Sequence, residues 1–373
     1  MPASIGDLRG LLMLQCRQAE SDSLTGLVEP GNSGLVCTGR VELASAGDFP
    51  VLHDRDYYTG KRRKYAGEGI DDDWITAQQN RGHIALTDSG YLAERDWRGL
   101  HGILEQTAVR PGPVIALLPL ANWWLAEEET VARLAEAIVT FEVPVAVAVE
   151  HQRDPFAVRR TLRGALRLAD KLEHGPPLLF LRGDSSVLGL LAHGGYAAAV
   201  GTRATLRHIY PPGDGGAPGT GFSVYVPSLL TYLRADKVER LVASMTELAQ
   251  LWECGCAVCC GGTLELLRDP ALAMQHSLRA HLEARAQLYR PPRETHTDAE
   301  LRRRRASIWY EWCSHALYVN DQIAERFPGW EPAKAVWHWY RLGPDPFARR
   351  TRTEQIELDT LRFGDAASSP HWT

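Results

Sequence analysis

The sequence predicts an α/β chain built on a TIM-type (β/α)8 barrel, and three observations carry that expectation. From residue 83 onward, short apolar strands alternate with amphipathic helices. The strands VIALL (114–118) and VAVAV (145–149) are apolar throughout, the pattern of a parallel sheet covered on both faces. No GxGxxG marks the first strand–helix turn, which disfavours the alternative, a doubly wound open sheet.

Taken in order, residues 1–80 are rich in turns (EPGNSG, ASAGD, GEGIDDD) between β-like runs such as GLVCTGRVEL. They read as an N-terminal β-rich layer, with GKRRK (60–64) as an exposed basic loop. The barrel is assigned to residues 81–250. Its strands are expected at 83–87, 114–118, 145–149, 178–182 and 196–200, with helices near 127–141, 155–172 and 185–192. A glycine-rich loop (211–221), the apolar FSVYVP and a helix over 228–248 complete it. Residues 251–290 form a cysteine-bearing subdomain ending in a helix over 271–289. After the polar break RPPRETHTD, residues 291–373 are a helical, basic and aromatic C-terminal extension.

Composition narrows the function classes. A net charge of −5 does not advertise nucleic-acid binding, so any such contact must come from local patches. No apolar run approaches the ~20 residues of a membrane span, and Asp7 and Arg9 interrupt the apolar start, against a signal peptide. The cysteines number seven, four of them within residues 254–260. That favours a reducing, cytoplasmic setting and a metal over disulfides.

Two stretches carry chemistry. ECGCAVCCGG sets Cys254, Cys256 and Cys259 as C-x-C-x2-C, with glycines that let the loop turn three sulfurs toward one point. A structural Zn2+ wants four N/S ligands, and the fourth is His276 or His281 on the following helix. Cys260 is left over. Four protein ligands leave no open position, so the zinc is expected to be structural. The second stretch is HIALTDSGY (83–91): a strand broken by an acid, a hydroxyl and a glycine. It reads either as a plain turn or as a carboxylate, Asp88, presented at the carboxyl end of a barrel strand.

With LTDSGY, C-x-C-x2-C and His276-Ser277-Leu278 in this order, the chain resembles the tRNA-guanine transglycosylase family over about residues 83–285. The resemblance implies exchange of guanine in nucleic acid for a 7-deazaguanine base such as 7-cyano-7-deazaguanine. Departures from the tRNA pattern point to DNA ahead of tRNA as substrate. Asp88 would move protons or contact the base, with Ser89 and Gly90 beside it and Tyr91 stacking on the base. Glu150, at the end of VAVAVE, would read its edge; where the family's next strand ends in Gln-Gly the chain has Arg182 and Gly183, and where the one after ends in a glycine pair it has Gly201.

The family's nucleophile is an aspartate in a string like FDCVLPTR; FSVYVPSLL has Ser223 there, and Asp184, Asp214, Asp236 and Glu239 are the other candidates. The missing aspartate keeps two alternatives open: a catalytically inactive nucleic-acid-binding subunit, and a glycosidase that only releases a base. The resemblance further implies a dimer or partner subunit. The basic tail and GKRRK are candidate contacts to phosphates, with tail aromatics available to stack or to form core.

Overall fold

The computed structural model describes residues 4–39, 43, 47–213 and 221–348. It divides into two compact units, Met1–Pro218 and Gly219–Thr373. Among the described residues, no helix is long and apolar enough to cross a membrane.

The first unit runs β1 (Leu12–Arg17), α1 (Ser21–Leu24), β2 (Ser33–Thr38), β3 (Val51–Asp54), α2 (Asp72–Gln79), β4 (Ala85–Leu86), α3 (Trp97–Ala108) and β5 (Val114–Leu120). It continues with α4 (Glu128–Phe141), β6 (Val145–Val149), α5 (Arg159–Lys171), β7 (Leu178–Gly183), α6 (Ser186–Ala192) and β8 (Ala197–Gly201). The strands form one eight-stranded sheet in the order β3-β2-β1-β8-β7-β6-β5-β4, parallel throughout. Sequence order runs around a ring, with β1 hydrogen-bonded to β8, so the sheet is a nearly closed (β/α)8 barrel. Its seam lies between β3 and β4, where the His53 and His83 rings meet edge-on at 4.6 Å.

The apolar strand pattern has its expected cause: β5 and β6 are buried along their whole length, inside by the barrel and outside by helices. The helices present one apolar stripe each. In α3 it is Leu100, Ile103, Leu104 and Thr107, at helical spacing. Asp71 and Asp96 cap α2 and α3, their carboxylates accepting from the backbone N–H groups of Asp73 and Trp74, and of Gly99.

The structure corrects the expected N-terminal layer. Residues 12–54 supply the first three barrel strands, with α1 in the connection from β1 to β2. The unit boundary also falls at 218/219 and not at 250/251.

The second unit starts with an antiparallel hairpin, β9 (Ser223–Val226) and β10 (Thr231–Arg234). Then come α7 (Ala235–Ser244), the cysteine loop, α8 (Pro270–Leu288), α9 (Asp298–Arg326) and α10 (Lys334–Leu342). The helix expected over 228–248 is therefore shorter: Leu230 turns in the left-handed region (φ 49°), and Thr231–Arg234 returns as a strand. Val226, Leu241, Trp252, Ala273, Val319 and Ile323 form this unit's core. The tail aromatics hold α9 to α10: Trp309 meets Trp339 edge-on at 5.6 Å, and Tyr310 stacks on Tyr340 at 5.3 Å.

Candidate functional site

Carboxylates gather where the barrel strands end. Asp88 follows β4, and its side chain is 2% exposed. One oxygen accepts the Asp71 backbone N–H at 2.8 Å; the other faces Lys64 Nζ at 3.2 Å and Arg55 Nη1 at 3.4 Å. Glu150 follows β6 and takes a hydrogen bond from the Tyr91 hydroxyl and an ion pair from Arg63. The Arg63 guanidinium also lies over the Tyr91 ring, 3.4 Å from its centroid. Burial first, then Glu150, pushes the Tyr91 phenol up, so Tyr91 acts as a donor.

These contacts place the basic loop. Lys64 O accepts from Tyr91 N at 2.8 Å, and Tyr91 O accepts from Ala66 N at 3.0 Å, strapping residues 64–66 along 90–91. Gly90 is where the two backbones come closest: a Cβ there would lie 2.3 Å from the Tyr65 carbonyl. Arg63 and Lys64, expected as exposed phosphate contacts, are thereby turned onto Glu150 and Asp88, with side chains 11% and 18% exposed. Their backbone pairing with Tyr91 fixes that direction.

Ser89 is fully buried, its hydroxyl 2.7 Å from that of Thr87. Gly183 and Gly201 have packing reasons: a Cβ would lie 2.0 Å from the Val187 side chain or 2.3 Å from the Leu206 carbonyl oxygen.

Arg182 stands in an irregularity of β7, between Phe180 and Gly183, with φ 54°. Such a bulge re-aims a side chain. Here the guanidinium, 1% exposed, meets Asp54, Asp56, the Tyr58 hydroxyl (2.7 Å) and the Thr205 carbonyl (3.3 Å). Gln15 joins the same network through Asp54 and Thr38. Burial pushes the Asp54 carboxyl up, and Arg182 opposes it. Sequence reasoning missed Asp54, Asp56 and Tyr58, although VLHDRDYY has the same form as HIALTDSGY: a short strand, then an acid.

Two further carboxylates belong to these loops. Asp154 accepts the Phe156 N–H at 2.9 Å, and Asp184 accepts the Ser186 N–H at 3.1 Å. Burial pushes both carboxyls up, and for Asp154 the Asp184 charge adds to it. After β8 the chain returns, and Ile209 pairs with Glu150 in a short parallel bridge. That brings in His208, whose ring is pushed down to about 4 by burial and by His151, Arg207 and Arg182. Asp154 and His208 carry no motif that would have singled them out.

Among the nucleophile candidates, Asp184 is at a barrel strand end. Ser223, Asp236 and Glu239 belong to the second unit, where Asp236 pairs with Arg234 and Arg240 and Glu239 with Arg268. Asp214 lies outside the described residues.

No protein-family model, curated protein or solved structure matches the chain.

The second unit holds a metal-ligand cluster. The donor atoms of Cys254, Cys256, Cys259 and His276 all lie within 4.8 Å of one another. The loop is tied by Cys259 N–H to Cys256 O (3.1 Å), Gly261 N–H to Cys254 O (3.0 Å) and Cys254 N–H to Gly262 O (3.2 Å). His276 Nε2 is 2.8 Å from the Tyr225 carbonyl, to which it donates. Nδ1 is then left with its lone pair toward the sulfurs, 2.9 Å from Cys259 and 3.4 Å from Cys256. A carbonyl that fixes the imidazole tautomer is the usual outer support of a metal-bound histidine. The Cys254 hydrogen bond, helped by His276 and opposed by burial, holds the Cys256 thiol down, toward the thiolate a metal takes. Three sulfurs and one imidazole nitrogen fit a metal ion. His281 is not in the set: its Nδ1 is 2.7 Å from Ser277 O and its ring packs on Tyr225. Cys260 is exposed, with Sγ directed at Ala257 O.

Proposed function

We propose that the barrel is a transglycosylase that exchanges guanine in nucleic acid, DNA ahead of tRNA, for a 7-deazaguanine base. The carrying observation is the set of carboxylates at strand ends: buried Asp88 after β4, and half-buried Glu150 after β6 and Asp184 after β7. Base exchange breaks the bond between C1′ and the base nitrogen and remakes it with another base. One carboxylate must hold the sugar at C1′, and a proton must reach the leaving base and be recovered from the incoming one. Asp88, beside Lys64 and Arg55, is the carboxylate placed to accept donors of the base or to face developing positive charge at C1′. Asp184 and Asp154, pushed up by burial, suit proton donation. Glu150 is an acceptor for the guanine N1–H and amine, and Tyr91 supplies a ring beside it. Arg182 supports the barrel interior and positions its neighbours.

We propose that Cys254, Cys256, Cys259 and His276 would hold a structural zinc, on the donor set. It would cross-link the loop to α8.

A second reading, a nucleic-acid-binding subunit without catalysis, is favoured by one fact: Asp88 and Glu150 are already paired with Lys64 and Arg63 of the chain itself. One experiment separates the readings. Labelled 7-cyano-7-deazaguanine is incubated with the protein and duplex DNA or tRNA. Incorporation that falls by at least about 10²-fold in Asp88→Ala supports exchange. Tight binding without incorporation, unchanged in Asp88→Ala, supports the subunit, and release of guanine alone supports a glycosidase.

A further inference from the structure

We propose that the second unit binds an unstacked nucleobase of a single-stranded nucleic acid in the cavity beside the cysteine loop, with neighbouring arginines taking its phosphates. This goes beyond the barrel reading and shares with it only the premise that nucleic acid is the partner. The cavity is about 400 Å³, within the ordinary range for a small ligand. One wall is a stripe of α8, Ala280, Glu283, Ala284 and Gln287, at helical spacing. Its two alanines leave a slot. Trp312 of α9 also lines the cavity, with a half-buried indole, a ring type that stacks on bases. Gly255 lines it too, with open space where a Cβ would project.

Glu283 supplies the polar recognition. One oxygen accepts the Ala257 N–H at 3.2 Å, which orients the carboxylate. A carboxylate accepts adjacent donors, and guanine offers two on one edge, N1–H and the exocyclic amine. Charge selects a nucleic acid over a neutral heterocycle. Residues 279–305 contain eight arginines and four acids, so the strip favours an anionic partner. Arg285 and Arg305 both lie over the Tyr289 ring, at 4.6 and 4.7 Å from its centroid. Arg305 precedes Trp312 by seven residues, on the same side of α9 and about 10 Å along its axis. Arg290, Arg293 and Arg303 are exposed around it.

The test is an anisotropy titration of the zinc-loaded full chain carrying Asp88→Ala, so that no exchange interferes. The probes are labelled thymine 10-mers with one central guanine, adenine or abasic site. The guanine probe is expected to bind about tenfold tighter than the abasic one. Trp312→Ala should erase that difference, and Trp312→Phe should keep most of it. Glu283→Gln should reduce the preference for guanine over adenine. Arg303→Ala should weaken all probes alike and lower the salt slope by about one.

Equal binding of all probes, or guanine preference unchanged in Trp312→Ala with zinc content intact, overturns the proposal. So does binding of free guanosine with no gain from the oligonucleotide. Guanine preference in this titration, together with no incorporation of 7-cyano-7-deazaguanine by the unaltered protein, would instead count against the barrel reading alone.

Discussion

At the scale of single residues, side-chain chemistry was legible and side-chain direction was not. Asp88 could be picked out because its strand opens the apolar strand–helix series upstream of C-x-C-x2-C. Its partners could not, because Arg55 and Lys64 come from a loop far away in sequence. Arg182 shows the limit most sharply. The string LLFLRG gives no sign of a bulge, yet the bulge turns the guanidinium onto Asp54 and Asp56. Gly90 gives a residue-scale prediction. Its missing side chain lets residues 64–66 lie against 90–91, and a Cβ there would clash with the Tyr65 backbone at 2.3 Å. Backbone, unlike a flexible side chain, cannot step aside. Gly90→Ala should therefore destabilise the fold by about 1–3 kcal/mol, the usual cost of overpacking. It should also free the Arg63–Lys64 strap. Urea unfolding measures the first effect, and faster amide exchange at Tyr91 and Ala66 measures the second.

At the scale of elements, the cysteine loop and α8 act as one piece. The loop's turns are held by hydrogen bonds among the cysteines and glycines. A bound ion would cross-link it to His276 near the middle of α8. Stripping the metal with a chelator should therefore lower the melting temperature by several degrees, with lost helical signal confined to the second unit. Cys259→Ser should show the same shift without a chelator, whereas Cys260→Ser should show none, because its sulfur is directed at the Ala257 carbonyl. Hydrogen exchange resolved by segment checks where the change falls. The C-x-C-x2-C spacing made this site readable beforehand. Choosing His276 over His281 required the Tyr225 carbonyl that orients the ring.

At the scale of the whole molecule, buried ionisable groups tie stability to pH. His53 lies at the barrel seam and is pushed down to about 3 by burial, with His83 and Arg81 adding to it. In the unfolded chain it titrates near 6.5. Above that pH both states are neutral and the fold loses nothing. As pH falls below 6.5 the unfolded chain takes up a proton that the folded seam refuses, so stability is lost. At pH 5 this amounts to about 2 kcal/mol. Asp154 and Asp184, held up by burial, work in the opposite direction, so the whole-protein profile is a compromise. The seam contribution is isolated by comparison: between pH 7 and pH 5, His53→Phe should lose about 2 kcal/mol less than the unaltered protein in urea titrations.

By itself the sequence determined the barrel's alternation of strand and helix and the metal-ligand spacing, because periodicity and local spacing are local properties of a chain. It determined that an acid ends the strand at 83–87. It did not determine that residues 12–54 belong to the same sheet, since short strands between turns look alike whether they stand apart or close a ring. Nor did it determine that Arg63 and Lys64 face Glu150 and Asp88. Tertiary structure decided these points, because ring closure, ion pairing and burial bring together groups that are distant along the chain.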